Sequence, residues 1–306
     1  MKSTFNRDYD NSLNLKESQN SLIVKMMDDV SKGEAFLAFR PKKQITIYMK
    51  GRKLCVMNPS NNYSPEIESK CLPILKSSSN EGAITENKWK EKTGVSEFSW
   101  GDIYTEIKDN LGQALSPEAE ISSGLYKFSP MATIVSPEII LLDIEAKFSY
   151  SKKEENNNDS RIDLVLYNIN TRQLAFVEVK RFDDDRLQKN GDLQEEIKKQ
   201  LRAYEKLIKS EKNDIIREYN KTIKAYSSIY KISIEPIDEK MNILLSLLIT
   251  DYSSGRKKTV DRLAEQLHKS DLKNISVLKI GNIENASLGT LKRWFSKMQK
   301  TTIRSN

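Results

Sequence analysis

Short apolar runs near the N-terminus predict strands separated by turns. Residues 35–40 and 44–57 are rich in β-branched and aromatic side chains, and Pro41 and Gly51 fall where turns are expected. Apolar residues at helical spacing over 21–30 predict a short amphipathic helix before them. The pattern therefore predicts a helix followed by an antiparallel meander.

The rest of the chain shows both helical and strand spacings. Ile103, Ile107 and Leu111 recur every four residues and predict a helix over 100–115. The run over 241–250 is apolar almost throughout, which is typical of a strand buried on both faces. Additional strands are expected over 138–150, 161–168, 173–180 and 274–281, and helices over 193–226 with an interruption near Asn213, around 260–267 and over 288–300.

These elements predict an α/β protein with a mixed sheet flanked by helices. Residues 58–98 are rich in Ser, Asn and Pro and lack clear periodicity, so we place the domain boundary at their end. The expected organisation is a disordered tail over 1–18, a smaller β-rich region with basic residues over 19–98, and a larger domain over 99–306.

Composition narrows the possible classes of function. The chain has 306 residues, of which 38% are hydrophobic and 30% charged, as in globular proteins. No apolar run reaches the roughly 18 to 20 residues of a membrane span, and no signal peptide is evident, so neither membrane insertion nor Sec export is expected. Cys55 and Cys71 are the only cysteines and His268 the only histidine, which excludes a Cys/His zinc site and indicates a reducing, cytoplasmic location. Acid–base chemistry must then use carboxylates, lysine or tyrosine.

Positive charge is concentrated in two segments of a chain whose formal net charge is +7. In the terminal helix, basic residues surround Trp294, for which packing is favoured over a nucleic-acid contact. In the N-terminal strands, the basic residues are either a solvated sheet face or a patch that contacts phosphates, and both interpretations stay open. That second group consists of Arg40, Lys42, Lys43, Lys50, Arg52 and Lys53.

The strands over 161–168 and 173–180 form a predicted hairpin whose register can be worked out. In an antiparallel hairpin, opposed residues have numbers with a constant sum, and a turn centred between Asn170 and Thr171 places Asp163 opposite Glu178. Opposed residues share a face of the sheet, and Lys180 shares it by the period of two. Two carboxylates and an ammonium are therefore expected to converge at one end of the hairpin.

Such a cluster has two interpretations. Directly opposed carboxylates repel each other unless a cation lies between them, and Mg²⁺ is held by carboxylates, water and phosphate oxygens. A neighbouring lysine could orient a water molecule or stabilise charge on phosphorus, which together favours metal-dependent phosphodiester hydrolysis. Alternatively, Lys180 neutralises one carboxylate in a structural ion pair. The three residues alone favour neither.

The order of elements and these residues resemble the PD-(D/E)xK nuclease superfamily over roughly 100–250. That superfamily has a helix, three antiparallel strands, a helix and a fourth strand, with Asp at the start of the second strand and Glu-x-Lys at the end of the third, as Asp163, Glu178 and Lys180 stand here. Ile162 replaces the proline of the motif. Gln200 and Tyr204 are similar to the Gln-x-x-x-Tyr motif of RecB-like members, and their spacing places both on one helix face.

The resemblance implies roles for individual residues. Asp163, Glu178 and the backbone carbonyl of Val179 would bind Mg²⁺ or Mn²⁺, Lys180 would orient water, and Gln200 and Tyr204 would support the site. Many members also have an acidic residue on the first helix that contacts the metal. Glu106 is the preferred candidate, and Glu138 and Glu145 are less favoured.

The expected function is a metal-dependent deoxyribonuclease, with a prokaryotic antiviral-defence or restriction-type endonuclease as the biological role. DNA is the expected partner, together with a partner protein or a second copy of the chain. Two alternatives stay open: a ribonuclease on the same core, and a non-catalytic nucleic-acid- or protein-binding module that kept the fold.

Overall fold

The computed structural model describes residues 18–73, 82–112, 121–132, 138–147, 161–230 and 232–303. These ranges leave out residues 1–17 of the expected tail over 1–18, the charged loop over 151–160, and the ends of the elements expected at 100–115 and 138–150. The described residues divide into two compact units. One is the described part of Asn6–Val135 with Lys221–Ile234, and the other is the described part of Ser136–Asn220 with Glu235–Asn306.

The first unit is built on an antiparallel sheet whose five strands follow chain order. Its first helix begins where the Asn20 side chain accepts hydrogen bonds from the backbone N–H groups of Leu22 and Ile23, and ends at Gly33 in the left-handed conformation that glycine favours. The elements are α1 (Ser21–Lys32), β1 (Ala35–Phe39), β2 (Ile45–Met49), β3 (Arg52–Met57), β4 (Pro65–Glu68), β5 (Ala83–Thr85), α2 (Glu86–Thr93) and α3 (Tyr104–Gly112).

The predicted helix and meander are confirmed, but the irregular segment over 58–98 was wrong in part. It contains β4, β5 and α2, whose short sequences offer too few apolar positions for a periodic pattern. The division between the units also lies later in the chain than the boundary expected after residue 98. The reason is α3, whose Tyr104 and Lys108 side chains both bond to Asp29 of α1.

The second unit is built on a mixed sheet in the order β12-β11-β8-β7-β6. β6, β7 and β8 are antiparallel, and β11 lies parallel to both β8 and β12, which confirms an α/β protein with a mixed sheet. The elements are β6 (Ile139–Lys147), β7 (Arg161–Asn168), β8 (Gln173–Arg181), β9 (Gln188–Lys189), β10 (Asp192–Leu193), α4 (Glu195–Tyr230), β11 (Leu244–Thr250), α5 (Lys257–His268), β12 (Ser276–Lys279) and α6 (Leu288–Ile303).

α4 is one continuous helix of 36 residues, so the expected interruption near Asn213 was wrong. Asn213 is exposed, and Ile215, Ile216 and Tyr219 continue the buried stripe beyond it. A single asparagine costs a helix little when apolar side chains on both sides remain packed. None of the helices in the described ranges is long and apolar enough to cross a membrane.

α4 and α6 cover opposite faces of the mixed sheet. Glu178 pairs with Leu247 of β11 and accepts a hydrogen bond from Gln200 of α4. The neighbouring Ser246 pairs with Val177, and its hydroxyl contacts Met298 of α6. Because successive side chains of a strand alternate between faces, the Glu178 face carries α4 and the Val177 face carries α6.

Candidate active site

The candidate site lies where the β7–β8 hairpin stops pairing. The register is the predicted one, with Leu164 opposite Val177 and Val165 opposite Phe176. Beyond the first of these pairs, the Asp163 carboxylate accepts a hydrogen bond of 2.7 Å from the backbone N–H of Val179. At this position the Asp163 side chain, and not its backbone, connects β7 to the end of β8.

Glu178 is the most deeply buried acid of this cluster, with 1% of its surface exposed. Its Oε1 accepts hydrogen bonds from Lys180 Nζ and, at 2.7 Å, from Gln200 Nε2. Its Oε2 is buried and has no hydrogen-bond partner among the residues that the structure describes. A buried oxygen without a partner is costly, so this atom needs an explanation that a purely structural ion pair does not supply.

Charge in the cluster is unevenly compensated. Burial raises the pKa of Glu178 above the usual glutamate value, and its contacts with Lys180, Tyr204 and Gln200 offset only part of that rise. Burial by itself favours deprotonation of Lys180, but attraction by Glu178 and Asp163 outweighs it and raises the pKa of Lys180. Lys180 therefore remains an ammonium at neutral pH.

Gln200 and Tyr204 attach α4 to this end of the hairpin. The Gln200 side-chain amide donates to Tyr204 Oη at 2.8 Å as well as to Glu178. The Tyr204 hydroxyl donates to the backbone carbonyl of Arg161 in β7, and burial is the main cause that raises its pKa. Gln200 thus occupies Glu178 Oε1 together with Lys180, and Tyr204 holds Gln200 in place, so that Oε2 is the oxygen left without a hydrogen bond among the described residues.

Asp184 and Arg186 were not predicted as site residues, yet they lie close enough to Lys180 to affect it. Burial by itself would raise the pKa of Asp184, but Arg186 and the Lys180 ammonium outweigh it and lower that pKa. The Asp184 carboxylate accepts hydrogen bonds from the Arg186 guanidinium at 2.9 and 2.7 Å. The run of three aspartates shortly after the Glu-x-Lys pattern was the available signal.

The acids considered for a third metal contact lie in different surroundings. Glu106 is exposed on α3 in the first unit, and Glu138 forms an ion pair of 2.7 Å with Lys292. Glu145 falls opposite Asp163 in the β6–β7 register, in a left-handed backbone conformation with φ of 46°. No group of three or more His, Cys, Asp or Glu side chains is arranged to bind a metal within the described ranges, so the third ligand stays a prediction.

The residues present nevertheless suit a hard divalent cation. Asp163 and Glu178 supply carboxylate oxygens, one of them the unpartnered Glu178 Oε2, and the Val179 carbonyl accepts a hydrogen bond of 3.3 Å from Lys180 of the same cluster. Oxygen donors with carboxylate charge are those that Mg²⁺ and Mn²⁺ prefer. The fit rests on these donors alone, because Lys180 and Gln200 already occupy Oε1.

The basic residues of the N-terminal strands are only partly available to a ligand. The Lys53 ammonium pairs with Glu68 at 2.6 Å, and Lys50 donates to the Lys108 carbonyl at 3.3 Å. Arg40 donates to the Tyr48 hydroxyl at 3.1 Å, and Arg52 is half-buried.

Lys42 and Lys43 are exposed and, unlike the equally exposed Lys53, form no ion pair with another described residue. They occupy consecutive left-handed conformations, with φ of 61° and 63°, in the turn between β1 and β2. Such conformations are strained for residues with a Cβ and concentrate where a ligand is bound. A phosphate-contacting role for the patch stays a prediction, and the structure narrows its best candidates to these two.

The cysteines offer no reactive thiol. Both are buried, as expected for Cys55. Burial raises the pKa of Cys55 well above the usual range and that of Cys71 to about 11. Thiolate, the reactive form, is therefore scarce at neutral pH.

Comparison of the chain with protein-family models, with curated proteins and with solved structures finds no match.

Proposed function

We propose that this protein is a metal-dependent nuclease that hydrolyses phosphodiester bonds in DNA on a core of the PD-(D/E)xK type. The observation that carries the proposal is the buried Glu178 Oε2, which lacks a partner among the described residues and belongs to the same cluster as Asp163. A divalent cation would satisfy this oxygen and neutralise the excess carboxylate charge.

The topology supports the assignment. β6, β7 and β8 are three antiparallel strands, α4 follows them, and β11 returns parallel to β8. Asp163 lies near the start of the second strand of this series, and Glu178 and Lys180 lie near the end of the third. Both the element order and the positions of the acids agree with what the sequence resemblance implies.

The chain's own groups divide the work of hydrolysis. Asp163, Glu178 and the Val179 carbonyl would hold the cation, which when bound polarises a phosphate oxygen and acidifies water. The raised pKa of Lys180 means that it acts as a charged donor, able to orient water and to stabilise negative charge that develops on phosphate, and not as a general base. Gln200 and Tyr204 hold Glu178 in place from α4.

The choice of DNA, the antiviral or restriction role and the cytoplasmic location rest on the resemblance. The donor set fits phosphate without distinguishing deoxyribose from ribose, so ribonuclease activity is an outcome of the same experiment. A binding module without activity is the second candidate, because the contact between Lys180 and Glu178 Oε1 is also what a structural ion pair would make.

The test is incubation of the purified protein with labelled duplex DNA, single-stranded DNA and RNA in Mg²⁺, Mn²⁺ or EDTA. Wild-type protein should cut DNA in either metal and not in EDTA. Glu178→Gln should abolish cutting, whereas Glu218→Gln, which changes another buried glutamate of the same unit, should retain it. Cleavage of RNA alone would mean that the substrate is RNA and not DNA. If none of the three nucleic acids is cleaved, the non-catalytic binding module is favoured.

A further inference from the structure

A second candidate site lies beside β12, the strand at one edge of the mixed sheet. A pocket of about 620 Å³ opens between the end of α5 and one side of α6. Its volume is within the range of about 300 to 1,000 Å³ that is common for small-molecule sites. Its basic lining residues are His268, Lys273, Arg293, Lys297 and Lys300.

The lining of this pocket carries one sign of charge. The other lining residues are two serine or threonine side chains of α6, and no acidic side chain lines the pocket as far as the described residues extend. The nearest ion pair, between Lys279 and Asp261, does not belong to the lining. Basic residues on a protein surface are usually interspersed with acids, so a concave cluster of four permanent cations is unusual.

Positive charge at Lys297 is held at an electrostatic cost. Its Nζ donates a hydrogen bond of 2.6 Å to the backbone carbonyl of Val277. Partial removal from water and the nearby Lys279 ammonium lower the pKa of Lys297, and Asp261 offsets these effects only in part. An anion in the pocket would relieve this cost by pairing with Lys297 and its neighbours.

We propose that the pocket binds a compact, multiply charged phosphate anion. Arginine binds phosphate in bidentate fashion and lysines supply point charges. The Ser296 hydroxyl adds a neutral donor, whereas the Thr301 hydroxyl already donates to the Lys297 carbonyl at 3.0 Å. Apart from His268, the lining has no ring on which a base could stack, so recognition is directed to phosphate. Duplex DNA spreads its charges along a strip, whereas these cations converge on one volume that a small anion can enter.

The pocket is independent of the proposed metal site. No residue that lines the pocket belongs to the Glu178 cluster, and β11 lies between β8, which carries Glu178, and β12, beside which the pocket opens. Occupancy can therefore be measured in EDTA, where the nuclease chemistry is absent. A failure of this proposal would leave the proposed nuclease function untouched, and the reverse also holds.

The test is calorimetric titration of the full chain with sodium tripolyphosphate at about 0.15 M salt, in EDTA. Wild-type protein should bind one tripolyphosphate per chain. Arg293→Gln/Lys297→Gln should weaken binding by about 100-fold, since each charge-assisted hydrogen bond to the anion is worth about tenfold. The matched control Lys257→Gln/Lys258→Gln removes two exposed charges from α5 outside the pocket and should change binding by less than about twofold.

A second pair, Lys273→Gln/Lys300→Gln, removes charges from another part of the pocket and keeps the test valid if the first variant does not fold. Titration with ATP identifies the source of the phosphate: binding much tighter than tripolyphosphate indicates a nucleotide, and equal binding indicates phosphate alone. The proposal is overturned if no saturable binding occurs, if the control pair weakens binding as much as the pocket variants, or if a short DNA duplex binds through the pocket residues more tightly than either anion.

Discussion

Asp29 in the first unit and Glu178 in the second are both buried carboxylates beside a lysine, but their partners differ. Asp29 is 5% exposed, and both of its oxygens are satisfied: Oδ2 by Tyr104 at 2.6 Å and Lys108 at 3.0 Å, and Oδ1 by Lys108 at 3.1 Å. The hydrogen bonds that Glu178 accepts from Lys180 and Gln200 both go to Oε1, and Oε2 has no hydrogen-bond partner in the part of the chain that the structure describes. A buried carboxylate that serves only stability is expected to have hydrogen bonds to both oxygens, as Asp29 has. A buried oxygen without a hydrogen bond, in a cluster whose other polar atoms are bonded, indicates a site for a ligand.

The largest expected difference between the two carboxylates is in catalysis. Glu178→Gln should lower the rate of DNA cleavage on the order of 10³-fold, because it removes the charge that holds the cation. Asp29→Asn should leave the rate per folded molecule within about twofold, because Asp29 contributes only to packing and hydrogen bonding within the first unit. Single-turnover cleavage of labelled duplex DNA measures the rate for both variants. Similar decreases in rate for Glu178→Gln and Asp29→Asn would show that the two carboxylates do not differ in catalysis.

Metal binding should stabilise the protein in a pH-dependent way. Saturating Mg²⁺ should add up to about 2.7 kcal/mol to the free energy of unfolding at a hundredfold excess over Kd. The pKa of Glu178 is higher in the folded protein than the value of about 4.3 expected in the unfolded chain. Protonation of Glu178 therefore stabilises the metal-free fold fully at pH values below about 4.3, and this contribution is lost as pH rises through the raised pKa. Metal needs the carboxylate, so the Mg²⁺-induced rise in Tm should shrink as pH falls from about 8 to about 5.

Calorimetric melting in Mg²⁺ and in EDTA measures this effect. Glu178→Gln is the control, and it should show no metal-dependent rise in Tm at any pH. A rise that persists unchanged at acidic pH would place the cation on other groups.

The free energy of unfolding should fall more in Asp29→Asn than in Glu178→Gln, the reverse of the order expected for the cleavage rate. Asp29→Asn should cost about 2 kcal/mol, since it weakens the charge-assisted hydrogen bonds from Lys108 and Tyr104. Metal-free Glu178→Gln should lower the free energy of unfolding by less than Asp29→Asn does, because burial already opposes the Glu178 charge and raises its pKa, and this offsets part of the cost of leaving Lys180 without its carboxylate. Urea unfolding of both variants in EDTA decides the point, and a larger cost for Glu178→Gln would identify it as the structural acid.

The smallest effect is expected for the exposed lysines of the β1–β2 turn. Lys42→Gln/Lys43→Gln should reduce the slope of log affinity against log salt by about 0.9 for each phosphate that these lysines neutralise, with little change in cleavage at saturating DNA. Lys50→Gln/Lys53→Gln is the matched control, because those ammoniums already bond to the Lys108 carbonyl and to Glu68. Equal slopes for wild type and the first variant would assign the turn to a protein partner.

The strand periodicity and the rules of antiparallel pairing were enough to predict the β7–β8 hairpin. The register follows from strand pattern and turn position alone, and the pairs from Leu164–Val177 to Asn168–Gln173 confirm it. Pairing ends before Asp163, so its position opposite Glu178 stays a prediction. The apolar run over 241–250 likewise predicts the burial of β11 on both faces. By contrast, β4 and β5 are too short for a pattern, and they form because neighbouring strands pair with them. Similarly, α4 remains helical at Asn213 because of tertiary packing and not because of the local sequence.

Side-chain partnership was harder to predict than position. Sequence placed Lys53 in a basic patch, but Glu68, which neutralises it, lies on a strand that the pattern did not reveal. Sequence likewise could not show that Gln200 and Lys180 would occupy the same oxygen of Glu178 and leave the other open. These facts depend on rotamers and on segments distant in the chain, which a one-dimensional pattern does not contain.

Anomalous diffraction from crystals grown in Mn²⁺ would show whether Glu178 Oε2 and Asp163 hold a divalent cation. We expect an anomalous peak bonded to Glu178 Oε2 and to an Asp163 oxygen at about 2.0 to 2.2 Å, with Lys180 still on Oε1, and no such peak in Glu178→Gln crystals. A wild-type map without manganese at this position, in which Oε2 is bonded to Lys180 or to another side chain, would rule out a cation held by these two carboxylates.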